Sequence, residues 1–168
     1  MICCLLKSKK KFQSGRSMIE MLGVLAIVGV LSAGGIAGYS MAMQSHKTNA
    51  LIEKIQLISS RTRTVYKNGN YTGFTGQNLV DAGKISSEDL KNPFGGNLGV
   101  AEYAPGTFYI SMPSLPAESC TDILQIDWGY GVDVDGEHYR VPSTYPFTAT
   151  QAISVCKGGN KGVAIIFL

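Results

Sequence analysis

GRSMIEMLGVLAIVGVLSAGGIAGYSMAM, running from Gly15 to Met43, is the stretch on which the reading of this 168-residue chain turns. Met21–Met43 is largely apolar and carries no charge, and a bilayer-spanning helix needs roughly 20 such residues. Glu20 stands directly before that run. A carboxylate inside a membrane segment costs about 2.5–3.5 kcal/mol on insertion scales, so an acid kept there is a functional candidate. Gly23, Gly29, Gly34, Gly35 and Gly38 are frequent for a helix, each costing about 0.8–1 kcal/mol relative to Ala in water. Gly34 and Gly38 stand at the small-xxx-small spacing that lets helices approach closely in lipid.

Working outward, the segment before Gly15 holds Lys7, Lys9, Lys10 and Lys11 and no acid. The formal net charge of +3 is therefore local: without these four lysines, 11 basic residues face 12 acidic ones, a net charge of −1. This distribution gives no general nucleic-acid signal. It fits the positive-inside rule, with the N-terminus in the cytoplasm and the C-terminal part exported. Length predicts one domain plus an appended helix. Cys3 and Cys4 lie in the basic segment, whereas Cys120 and Cys156 lie in the exported part, where disulfides persist. Pairing them would close a loop of about 37 residues, worth roughly 3–4 kcal/mol in the chain-entropy picture; two buried free thiols are the alternative. An ordinary secretory signal cut after Ala42, or a plain single-pass anchor, would also account for the apolar run, but neither gives Glu20 a role.

Downstream, Gln44–Tyr66 contains no Pro or Gly, and Leu51, Ile55, Ile58 and Val65 recur on one helical face. Residues 18–66 as one helix would measure about 74 Å at 1.5 Å per residue. Turn chemistry at Lys67–Asn70 ends it. Short helical pieces are expected at Gln77–Ala82 and Ser86–Leu90, a loop at Asn92–Gly96, and strands at Gly99–Tyr103 and Thr107–Met112. Leu115–Ile126 reads as helix behind Pro116. Gly131–Val134 and Glu137–Val141 form a hairpin around Asp135-Gly136. Thr150–Cys156 is ambiguous between helix and strand, and Val163–Leu168 is a final strand.

The register of Gly15, Glu20 and the apolar run resembles the start of a type IV pilin or pseudopilin. That resemblance implies an α+β pilin fold: a long N-terminal α-helix with a protruding apolar half, packed on an antiparallel β-sheet with a disulfide-closed C-terminal region. It divides the chain into a cleaved leader (1–15), the transmembrane or fibre-core half of the helix (16–43) and a globular domain (44–168). A prepilin peptidase would cut between Gly15 and Arg16 on the cytoplasmic side and leave Glu20 as fifth mature residue. The family usually has Phe, Met or Leu where Arg16 stands, and it methylates that residue's amine. The amine of one subunit would lie near Glu20 of a neighbour and fix axial register. RSMIEMLGVLAIVGVLSAGGIAGY, NPFGG at Asn92–Gly96 and LPAESCTDIL at Leu115–Leu124 look like type IVb pilins of the PilS kind, which form thin pili, some of them conjugative.

The expected function is thus a structural subunit. It would be held in the inner membrane as a precursor, then assembled with copies of itself by an inner-membrane platform into an extracellular fibre for adhesion or conjugative contact. A pseudopilin of type II secretion and a monomeric membrane-anchored periplasmic domain are the alternatives. No catalytic residues, cofactor or metal are expected. His46 and His138 have no Ser-His-Asp arrangement or phosphate loop around them, and His138 with two cysteines makes an incomplete zinc set. Asp133, Asp135 and Glu137 faintly suggest calcium, as in major pseudopilins, but a tight Asp-Gly turn explains them better. Tyr130, Tyr139 and Tyr145 read as core or surface residues rather than a base-stacking platform.

Overall fold

A computed structural model describes residues 18–141 and 143–168. The chain divides into two units at Met41 and Ala42. Within the described residues the first unit is helix throughout.

That helix belongs to α1, Met18–Val65, a single run of 48 residues. In the second unit α1 is amphipathic. Thr48, Leu51, Ile55, Ile58 and Thr62 are buried, a spacing of three and four that keeps them on one face. The apolar repeat in the sequence extends this stripe to Val65, but Val65 is 39% exposed. Thr62 takes the last buried place instead, and its hydroxyl is satisfied by the Ile58 carbonyl at 2.8 Å. Val65 is the final helical residue, and the core beyond it is supplied by the half-buried Tyr66, whose ring meets Phe74 edge-on at 4.9 Å.

Five strands form one antiparallel sheet: β1 Gly99–Ala104, β2 Thr107–Leu115, β3 Gly131–Val134, β4 Glu137–Arg140 and β5 Lys161–Phe167. Their spatial order is β1-β2-β5-β3-β4, so the last strand of the chain sits at the centre. Register aligns Val100 with Ile110, Ile110 with Ile165, and Ile165 with Val132. This row of buried β-branched side chains shares one core with Leu51, Ile55 and Ile58 of α1. Each fully buried aliphatic side chain is worth roughly 1.5–3 kcal/mol.

Two elements differ from expectation for local reasons. β2 runs on to Leu115 rather than ending at Met112, because the register shifts between Met112 and Leu115 and Ser114 takes a φ of 58°. Such an irregularity is where a strand tolerates a proline, here Pro113. Helix therefore begins later, as α3, Ala117–Leu124. The ambiguous segment is helical, α4 Ala149–Cys156, because Thr148 and Gln151 form a reciprocal capping box at its start. The short helices appear as α2, Gly76–Asp81, and a 3-10 turn at Ser87–Leu90. The β3–β4 hairpin turns at Asp135 (φ 49°) and Gly136 (φ 90°), the left-handed pair that a two-residue turn demands.

Candidate functional site

The first functional feature is the apolar end of α1. Its most apolar 18-residue window has a mean hydropathy of 2.1 and no buried residue, and it is long and apolar enough to cross a membrane. Fourteen large apolar side chains between Met18 and Met43 are exposed, Ile19, Leu25 and Leu31 among them. At 1.5 kcal/mol or more each, covering them is worth roughly 20 kcal/mol. A helix apolar all round belongs inside a membrane or an assembly.

Glu20 lies in the first turn of α1 and is exposed. There a carboxylate faces the positive end of the helix dipole. Gly34 and Gly38 lie one turn apart on the exposed helix, and a Cβ added at either would meet nothing within 4 Å. The packing of this chain on itself therefore does not require glycine there. Gly15 and Arg16, where the resemblance leads one to expect cleavage and, at Arg16, methylation, lie outside the described residues.

The second feature is the disulfide-closed region. Cys120 of α3 and Cys156 of α4 are bonded, with Cα atoms 5.9 Å apart and a sequence separation of 36. This settles the pairing in favour of the bridge, and it removes the cysteines from any zinc set with His138. The chain inside the loop is tied further. Tyr145 accepts a hydrogen bond from the Trp128 amide at 2.8 Å and donates to the Ile126 carbonyl, and the Trp128 indole donates to the Ile123 carbonyl at 2.9 Å. Burial pushes the Tyr145 hydroxyl up to about 12, so it stays a donor across the physiological range. Seen against α1, the region is anchored where the buried hydroxyls of Thr48 and Ser119 lie 2.8 Å apart. Nothing in the local sequence pattern signals that pair, because both residues read as polar surface until the tertiary fold buries them.

On the outer face of the sheet, Asp133 is engaged by Arg140 Nη1 at 2.7 Å and by His138 Nδ1 at 2.9 Å. Arg140 Nη2 donates to the Tyr103 hydroxyl at 2.7 Å, and the guanidinium lies over the rings of Tyr103 and Tyr130. Burial works against the Arg140 charge, yet Asp133 beside it holds the guanidinium above its ordinary value. Asp135 is held separately, by Lys161 at 2.9 Å and by the Gly162 amide at 2.8 Å. The two aspartates therefore serve different cations, and the Asp135-Gly136 dipeptide serves the turn.

No protein-family model matches the chain. It is 27% identical to the major structural subunit of the bundle-forming pilus of Escherichia coli O127:H6, over 90% of this chain and 92% of that protein. It is 30% identical to the toxin coregulated pilin of Vibrio cholerae, over 69% of this chain and 58% of that protein. Among solved structures, TcpA, a type IV pilin from the Vibrio cholerae El Tor biotype, superposes with a TM-score of 0.58 at 18% identity, over 73% of this chain and 99% of the other. That likeness is one of fold. With a long, partly apolar helix, a five-stranded antiparallel sheet and the Cys120–Cys156 bridge, the chain has the type IV pilin fold, and in sequence it is similar to pilus subunits.

Proposed function

We propose that this protein is the structural subunit of a type IVb pilus and polymerises through the apolar half of α1. The observation that carries the proposal is the fully exposed apolar window of that helix, which needs a lipid or protein environment that the chain does not give itself. The relative in Escherichia coli is named as the major subunit of a pilus, and the one in Vibrio cholerae as a pilin.

In this account the precursor sits in the inner membrane with residues 16–43 spanning it, Lys7, Lys9, Lys10 and Lys11 in the cytoplasm, and the globular domain outside. A prepilin peptidase removes residues 1–15, exposing the Arg16 amine for methylation. An assembly platform then transfers the subunit to the fibre. Glu20 keeps its carboxylate within reach of a neighbour's N-terminal amine, which offsets much of the cost of a charge in an apolar medium. Gly34 and Gly38 let neighbouring helices close up, in agreement with the empty space around them in the single chain. The bridge holds the exported domain against unfolding outside the cell. Adhesion or conjugative contact is the use such a fibre would serve.

The test is immunoelectron microscopy with an antibody raised to the globular domain, on cells with and without prepilin peptidase. Labelled filaments that vanish with the peptidase are the expected result. Label confined to the cell envelope in both strains would overturn the proposal.

A further inference from the structure

The charges of the globular unit are segregated along the chain. Between Asn92 and Tyr139 there is no Lys or Arg, against seven acids. Between Lys54 and Val80 there is no acid, against four cations. The fold places parts of these two stretches far apart along α1. α3 is joined to α1 at Thr48 through Ser119, whereas Arg61, Arg63 and Lys67 surround its C-terminal end, about 20 Å further on at 1.5 Å per residue.

Each of the two places also shows an apolar side chain to solvent. Between α3 and α4 runs a groove of about 410 Å³ lined by Ala117, Glu118, Asp122, Ile153 and Lys157, and Ile153 in it is 59% exposed. Glu118 and Asp122 stand one turn apart on α3, an arrangement that is locally repulsive. The ion pairs among the described residues are Lys91–Glu88, His138–Asp133, Arg140–Asp133 and Lys161–Asp135, so neither Glu118 nor Asp122 is in one. Lys157 at the rim leaves the groove negative overall. Burial, and then the Glu118 charge, push the Asp122 carboxyl above its ordinary value. At the end of α1, Val65 is 39% exposed and is flanked by Arg61, Arg63 and Lys67, all exposed and absent from the same ion pairs.

We propose that the α3–α4 groove of one copy receives the C-terminal end of α1 of a second copy, with Val65 against Ile153 and Arg61, Arg63 and Lys67 against Glu118 and Asp122. A contact between two different patches of the same chain is heterologous, and one that does not close on itself propagates as a helical filament. Opposite charge on the two patches fixes which ends meet and disfavours like-end encounters. The inference rests on the pilus-subunit reading and assigns that fibre a head-to-tail contact between globular domains, separate from the packing of apolar helices.

The test is a charge swap in cells that assemble the full chain. Chain one carries Glu118→Lys with Asp122→Lys, and chain two carries Arg61→Glu with Lys67→Glu. Either chain alone meets like charge with like, and at least a tenfold loss of sheared filaments is expected, while bridged subunit stays at the wild-type level in the membrane. Produced together, the two chains pair opposite charges at every contact, and filaments containing both should return. Wild-type filament yield from either chain alone would overturn the contact, as would failure of co-expression to restore filaments when both subunits are bridged and folded. If chain one does not fold, the neutral pair Glu118→Gln with Asp122→Asn, expected to lower yield several-fold, takes its place; an unchanged yield overturns the contact. If the wild-type chain itself makes no filaments, the pilus reading falls and the contact with it; filaments indifferent to the swap remove the contact alone.

Discussion

Glu20 is a single carboxylate at the head of an apolar helix, and its chemistry sets what a substitution there should do. Glu20→Gln keeps the shape and removes the charge, so leader removal should proceed while filament yield falls at least tenfold, read from the ratio of processed subunit in sheared and membrane fractions. A normal ratio would take Glu20 out of assembly. Thr48 and Ser119 are a different kind of residue pair, two hydroxyls buried at 3% and 0% exposure. Thr48→Val alone strands the Ser119 hydroxyl and should cost about 1–3 kcal/mol. Thr48→Val with Ser119→Ala should cost less than the two single changes added together, measured by urea unfolding of the detergent-solubilised chain. Strict additivity would show that the pair is not coupled. Glu20 stands out as a candidate in the sequence because its register with Gly15 and the apolar run is local. Thr48 and Ser119 do not, because burial of a Thr and a Ser 71 positions apart is decided only when α3 folds back on α1.

At the scale of elements, the long helix, the β3–β4 hairpin and the Asn92–Gly96 loop were legible because helix periodicity, Asp-Gly and Asn-Pro are signals carried within a few residues. The extension of β2 past Pro113 was not, since a register shift depends on the partner strand: Leu115 pairs with Lys161 across the sheet. The central position of β5 also escapes a linear reading, because strand order is set by packing. α4 did carry a signal, the Thr148–Gln151 capping box. Removing the covalent tie between α3 and α4 with Cys120→Ser and Cys156→Ser should cost roughly 3–4 kcal/mol of unfolding free energy, and a loss below 1 kcal/mol would show that the bridge does not constrain the unfolded chain. In the hairpin, the hydrogen bond from Lys161, with that from the Gly162 amide, holds the Asp135 carboxyl below its ordinary value. A lowered carboxylate contributes stability that is full above the unfolded value of about 3.9 and is lost as pH falls through the folded one. Asp135→Asn should therefore lower the Tm at pH 7, and the gap to the wild type should shrink below about pH 4. A gap of the same size at pH 7 and pH 2 would contradict that assignment.

For the whole molecule, one helix has two different surroundings. From Thr48 to Thr62 it supplies a stripe to a sheet core, and before Ala42 it presents apolar side chains on every side. No rearrangement of the globular unit is needed to explain that exposure if the partner is first lipid and then other copies of the same chain. Gly34 and Gly38 are compatible with that proposal, since nothing among the described residues of a single chain requires glycine there. The most direct test is the N-terminal sequence and intact mass of the subunit recovered from sheared filaments. The expected subunit begins at Arg16, with Glu20 fifth, one methyl group on the Arg16 amine and a mass lower by two hydrogens for the Cys120–Cys156 bridge. A chain recovered only from membranes and still beginning at Met1, or one beginning near Met43 without the apolar helix, would contradict that expectation.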